Sequence, residues 1–200
     1  MNVKKSELAG TFFNCGQLPA DARPKILFFG RSNVGKSSLI NTLLEQRLAR
    51  TSSTPGKTLS VNYYLVECAR KGASRGDSKL LFADLPGYGF AKVSKSESAR
   101  VRQLIVDFLD RVQNVRLAAL LIDSRRGFLP PDLDTLAQIV EKKFPILTIL
   151  TKSDKISLSE QRNQIAQLKK KFGLHAISFS IKSPAGKIEI WKQIKEAMKE

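Results

Sequence analysis

The chain is short of cysteine, short of acid and without a long apolar run, and each shortage removes a class of protein. Only two cysteines, Cys15 and Cys68, occur in 200 residues, and they sit at neither a metal-ligand nor a redox-pair spacing. That argues against a disulfide-stapled scaffold or a zinc module and points to a reducing compartment. Nothing approaches the ~18 consecutive apolar residues that a membrane span requires. The first residues carry Lys4 and Lys5, then Glu7 and a short, broken apolar patch, which is not the pattern of a signal peptide. A cytoplasmic protein with no stable membrane insertion is the expectation. The lone His175 is read as a structural or surface residue. Acid is scarce relative to base: 18 Asp plus Glu face 34 Lys plus Arg, a net charge of +16. Since a net charge of about 2 to 8 already serves solubility, the excess favours a polyanionic partner, nucleic acid ahead of an anionic membrane.

What is present is organised around Gly30-Arg31-Ser32-Asn33-Val34-Gly35-Lys36-Ser37. The stretch fits G-x-x-x-x-G-K-[ST]; Ile26 to Phe29 before it reads as a buried strand and Ser38 to Leu44 after it as a helix. A polyphosphate needs backbone N–H groups turned inward with no side chain in the way, which Gly30 and Gly35 permit. Lys36 then reaches the β and γ phosphates as a point charge. The Ser37 hydroxyl can hold Mg²⁺, and the helix N-terminus adds its positive dipole end.

Strand and helix patterns alternate along the rest of the chain, which predicts an α/β fold: one doubly wound, mostly parallel sheet with helices on both faces. Residues 1–24, polar and punctuated by Pro19 and Pro24, are expected as a loosely packed extension before a single domain over 25–200. Val101, Leu104, Ile105, Phe108, Leu109 and Val112 recur at helical spacing within an amphipathic helix from Glu97 to Val112. Ser157-Leu158-Ser159-Glu160 has capping-box spacing, so a helix should run from Ser157 to about Phe172, with Gly173 ending it.

Two further motifs follow predicted strands. Lys79 to Ala83 ends in Asp84-Leu85-Pro86-Gly87, placing a carboxylate beside the phosphate loop for Mg²⁺ and a glycine N–H near the γ-phosphate. Phe144 to Leu150 runs into Thr151-Lys152-Ser153-Asp154. The Asp154 carboxylate can accept from N1–H and the exocyclic amine of guanine together, an edge that adenine lacks, so it selects GTP over ATP. Lys152 lays its aliphatic stem along the base. After the last strand, Phe179, Ser180 and Ile181 are expected to close over the base with backbone N–H groups.

Taken together, these residues resemble the translation-factor-related GTPases of the TrmE-Era-EngA-EngB-septin-like class, and within it the EngB (YihA/YsxC) family of bacterial ribosome-biogenesis GTPases. The strings that carry the resemblance are Gly30 to Ser37, Thr51-Ser52-Ser53-Thr54-Pro55-Gly56-Lys57-Thr58, and Asp84 to Val93. It implies a Ras-like P-loop fold, GTP and GDP as ligands, and Mg²⁺ reached by Thr58 as well as by Ser37 and Asp84. Gly56, Lys57, Leu59 and Ser60 then flank the nucleotide, and Lys36, Thr58 and Gly87 act in hydrolysis. The implied work is in assembly of the large ribosomal subunit, with a link to normal division and septum formation, by a chain expected to be monomeric. Thr151 stands where GTPases at large carry asparagine, and Ser180-Ile181-Lys182 departs from the usual last-loop string. Asn33 suggests K⁺ as an activator, since related GTPases use an asparagine there, although it equally suits a loop cap. A small-molecule kinase with Arg125-Arg126 in a lid, and a division or membrane adaptor switched by GTP, are the other readings.

Overall fold

Ile26, Leu27, Phe28 and Phe29 are all fully buried, because their strand is covered on both faces, as parallel strands between helices must be. The computed structural model describes residues 2–50, 60–69, 78–89 and 94–199. Its strands are β1 (Asn2–Phe12), β2 (Lys25–Gly30), β3 (Val61–Ala69), β4 (Ser78–Asp84), β5 (Val115–Asp123), β6 (Ile146–Thr151) and β7 (Ala176–Ser178). The helices are α1 (Lys36–Leu44), α2 (Lys95–Arg111), α3 (Pro130–Glu141), α4 (Leu158–Phe172) and α5 (Pro184–Ala197). They build one sheet of order β1-β3-β4-β2-β5-β6-β7. β4, β2, β5, β6 and β7 run parallel, β3 pairs antiparallel with β4, and β1 pairs antiparallel with β3.

The period of two along the parallel strands sorts their side chains into two cores. Leu27, Phe29, Leu81, Leu120 and Ile122 meet Phe108 of α2, Ile139 of α3 and Leu168 of α4 on one face. Ile26, Phe28, Phe82 and Leu121 meet Leu39 and Leu43 of α1 and Ile190, Trp191 and Ile194 of α5 on the other. Cys15 lies in the first core and Cys68 in the second, with no disulfide between them. The helical spacing holds for α2, where Val101, Leu104, Ile105, Phe108 and Leu109 are all buried. Ser157 caps α4 in a capping box with Glu160, and Gly173 closes it at φ 67°. Ser94 and Glu97 make a second capping box, so α2 starts two residues ahead of the expected Glu97. Among the described residues no helix is long and apolar enough to cross a membrane.

Residues 2–12 differ from the expected loose extension. They form β1, the sheet's edge strand, in register with β3 from Asn2↔Ala69 to Phe12↔Val61. Lys4, Lys5, Glu7 and Leu8 are exposed. An edge strand is held by backbone hydrogen bonds, and its charged residues and two register shifts guard it against pairing with other chains. That leaves little apolar alternation for a reader of the sequence to find.

Candidate functional site

Because β2, β4, β5, β6 and β7 are parallel, the residues after each of them emerge at one edge of the sheet, where ligands bind in open α/β folds. The phosphate loop follows β2. Gly35 takes φ 107°, a left-handed conformation that favours glycine. Gly30 is not curled, contrary to expectation; it ends β2, where a Cβ would lie 2.8 Å from Val34 Cγ1. No side chain caps the first turn of α1, and no acidic residue stands in it. Its N–H groups and dipole are therefore available to an anion. Ser37 sits in that turn, half-buried.

Lys36 is not an exposed loop lysine. Its side chain is 11% exposed and ion-paired with Asp84, itself 7% exposed. The cause is register: β2 pairs with β4 so that Phe28 is level with Asp84, which brings the end of β4 beside the loop. β3 begins at the same edge, with Asn62 opposite Asp84 and Ser60 buried just before it. Gly56, Lys57, Thr58 and Leu59 lie outside the described residues.

The turn after β4 runs along the phosphate loop. Leu85 N donates to Phe28 O at 3.2 Å and Ser32 N to Tyr88 O at 2.9 Å. A Cβ on Gly87 would lie 2.9 Å from Ser32 Oγ and 3.2 Å from Ser32 N, so the approach leaves no room for a side chain. Leu85 and Pro86 are buried. Tyr88 is turned inward, and its hydroxyl donates to Asp132 Oδ1 at 3.1 Å. Arg31 is also buried, with Nε 3.2 Å from Asp132 Oδ2; this is a charge contact, its N–H pointing off the hydrogen-bond line. Burial pushes the Tyr88 hydroxyl up, and the nearby Asp132 charge adds to it. Burial also raises the Asp132 carboxyl, against the opposing pull of the Leu129 N–H and Arg31. Nothing in the sequence singled out Asp132, since an aspartate two residues after Pro130 reads only as a helix start.

The third motif is tied to the loop as well. Thr151 Oγ1 donates to Val34 O at 2.7 Å, which ties the end of β6 to the phosphate loop. Lys152 takes φ 56°, and its Nζ donates to Asn33 O at 2.7 Å and to Asp123 Oδ2 at 2.9 Å. Burial works to raise the Asp123 carboxyl, but hydrogen bonds from Arg125 and Lys152 outweigh it and hold the group well below the carboxylate range. Arg125 is thereby engaged at 2.7 Å, which speaks against a kinase lid. Asp154 accepts from Ser180 Oγ at 2.8 Å, and this bond, with Lys182 nearby, lowers its carboxyl. The Ser180 bond fixes the orientation of the carboxylate. Ser153 is buried, its N–H on Phe179 O.

The last loop departs from expectation at Phe179. Its N–H already donates to Leu150 O at 2.8 Å and its ring is 2% exposed in the core, so it serves the sheet and not a base. Lys182 N is likewise committed to Ser180 Oγ. Ser180 and Ile181 remain, and Ile181 is 68% exposed.

Phosphate loop, facing carboxylate, close-approaching glycine and aimed aspartate define the class of P-loop GTPases, and a family model described as "50S ribosome-binding GTPase" matches residues 25–152. The "Probable GTP-binding protein EngB" of Kosmotoga olearia is 42% identical over 196 residues, covering 96% of this chain and 98% of that one. Its counterpart in Thermoanaerobacter pseudethanolicus is 41% identical, covering 88% and 86%. The crystal structure of a probable GTP-binding protein engB superposes with a TM-score of 0.66 at 27% identity, covering 88% of this chain and 98% of that one. Era in complex with MgGDPNP and 16S ribosomal RNA nucleotides shares the fold, with a TM-score of 0.68 at 22% identity, covering 87% and 56%. The chain belongs to the EngB family of GTP-binding proteins.

Proposed function

We propose that the chain is a slow GTP-hydrolysing switch that engages the large ribosomal subunit during its assembly, in the cytoplasm and as a monomer. A tie to cell division and septum formation follows from the same family. The observation that carries the reading is the meeting of Lys36, Asp84, Gly87 and Asp154 at one sheet edge. Lys36 holds the β and γ phosphates, Gly87 meets the terminal phosphate, and Asp154 reads guanine with the Lys152 stem along the base. Residues 25–200 form the nucleotide-binding domain, and β1 within residues 1–24 extends its sheet.

The residues also suit Mg²⁺. Ser37 and Asp84, with Thr58 as implied by the family, supply two hydroxyls and one carboxylate. No cluster of three His, Cys, Asp or Glu that could cage a metal exists among the described residues, and Mg²⁺ prefers such sparse sites, where waters and phosphates complete its shell. When bound, the ion neutralises charge between the β- and γ-phosphates. Lys36 and Asp84 are paired with each other; Lys36 would hold the phosphates and Asp84 would help to hold the ion.

Hydrolysis is slow in this reading because the residue after Gly87 offers nothing to orient water: Tyr88 is buried and bonded to Asp132. A partner or K⁺ near Asn33, which is exposed at the loop, supplies what is missing. Turnover should be faster in KCl than in NaCl, and equal rates refute the cation. Ribosome engagement is supported by the family description and the +16 charge. Co-sedimentation with large subunits should be stronger with a non-hydrolysable GTP analogue than with GDP, and should fall steeply with salt as counterions re-condense. Retention indifferent to both overturns it.

A further inference from the structure

Three elements of the nucleotide edge converge on one buried carboxylate that the proposed chemistry does not use. Asp132, in the first turn of α3, is fully buried. Its Oδ2 accepts from Leu129 N at 2.9 Å and lies 3.2 Å from Arg31 Nε of the phosphate loop. Its Oδ1 accepts from the hydroxyl of Tyr88, in the turn after β4, at 3.1 Å. Arg31 and Tyr88 are 8% and 4% exposed. Gly89 wraps the arginine from outside, placed so that a Cβ there would meet Arg31 Cγ and Cδ at 3.2 Å. The backbones of Arg31 and Tyr88 pair as a parallel bridge, so these two partners of Asp132 are also backbone neighbours.

A helix cap needs only the Leu129 contact. Burying an arginine and a carboxylate together costs desolvation that a well-packed apolar pair would avoid, so the charges ask for a further reason. Gly87 supplies one, because it immediately precedes Tyr88 and lies flush against Ser32.

We propose that Asp132 is a positioning residue: through Arg31 and Tyr88 it clamps the Pro86–Tyr88 turn to the phosphate loop and so presents Gly87 to the terminal phosphate of a bound nucleoside triphosphate. This rests on the reading of Gly87 as the residue that meets that phosphate. A clamp that orders the turn in advance favours the triphosphate over the diphosphate, since only the former uses it. It also explains why the residue after Gly87 is a tyrosine turned inward.

The test uses Tyr88→Phe, which removes one hydroxyl and keeps the ring in its core, and Asp132→Asn, which keeps an acceptor and removes the charge facing Arg31. Affinities for GDP and for a non-hydrolysable GTP analogue are measured with Mg²⁺ by titration calorimetry, alongside melting temperature. Both variants should lose analogue affinity on the order of tenfold relative to GDP, the scale of one hydrogen bond to a charged group. GDP affinity should hold within about twofold, because GDP lacks the phosphate that the turn meets. A fall in melting temperature with an unchanged ratio of the two affinities makes Asp132 a helix cap alone and overturns the proposal. So does an equal loss for both nucleotides in Tyr88→Phe. Wild-type protein that binds neither nucleotide removes the underlying reading and this proposal with it, and that result is visible before any variant is made.

Discussion

Asp123→Asn tests whether the end of β5 holds the Thr151-Lys152-Ser153-Asp154 motif in place. Asp123 is 5% exposed, accepts from Lys152 Nζ at 2.9 Å and is bracketed by the Arg125 guanidinium. The asparagine keeps an acceptor for the Arg125 N–H but loses the charge facing Lys152. A hydrogen bond between charged groups contributes about 1.5–3 kcal/mol. The Lys152 side chain is 30% exposed, so water replaces part of that, and Arg125 is too exposed to add to it. The variant should lose about 1–2 kcal/mol, which for a domain of this size lowers the melting temperature by roughly 2–8 °C. The sign with pH follows from the depressed carboxyl. Asp123 contributes its stability above its ordinary value of 3.8, and the contribution is lost as pH falls through the lower value it has when folded. The gap between wild type and variant, measured by denaturant unfolding, should be full at pH 7 and shrink below about pH 4. No gap at pH 7, or a gap that ignores acid, refutes the reasoning. With Lys152 freed from one of its two anchors, guanine-nucleotide affinity should fall as well.

Lys36→Ala should abolish nucleotide binding, read by fluorescence titration. Because the change strips the nearly buried Asp84 of its counter-charge, it should also lower the melting temperature, and the double variant Lys36→Ala/Asp84→Asn should recover part of that loss. Tight GTP binding by folded Lys36→Ala would dismiss the phosphate-site assignment. Asp154→Asn should weaken GTP and favour xanthosine triphosphate, whose base offers an acceptor where guanine has its amine; an unchanged preference in competition assays removes Asp154 from base recognition. Phe108→Ala, at a fully buried position of α2, should cost about 3–5 kcal/mol in chemical denaturation. A cost below about 1 kcal/mol would show that α2 does not anchor that face.

Much of the nucleotide edge is written locally. Gly35, Lys36 and Ser37 announce themselves because a turn, a charge and a helix start must be adjacent in the chain to cradle phosphate. Ser157 with Glu160, and Gly173, mark the two ends of α4 for the same reason: a cap is satisfied within three or four residues. The apolar runs of β2, β5 and β6 declare buried parallel strands, and with the alternating helices they determine the doubly wound sheet. The family followed from those same strings.

What the sequence left open depends on partners distant in the chain. β1 is a strand only because β3, paired with it from Asn2↔Ala69 to Phe12↔Val61, offers its backbone, and backbone pairing leaves no side-chain signature. Lys36 is largely withdrawn from solvent because register puts Asp84 beside it. The Phe179 N–H is taken by Leu150 O, and the Ser180 hydroxyl, besides any role of its backbone, orients Asp154. Arg31 and Tyr88 sit inside recognised strings, but nothing in the sequence ties them to Asp132, since a buried charge cluster is assembled from three separate elements. Local hydrogen bonding and hydrophobic period determined which elements exist and which loops can hold phosphate. Strand register and burial, properties of the assembled sheet, decided which side chains gather at the phosphate loop and which hold the others in place.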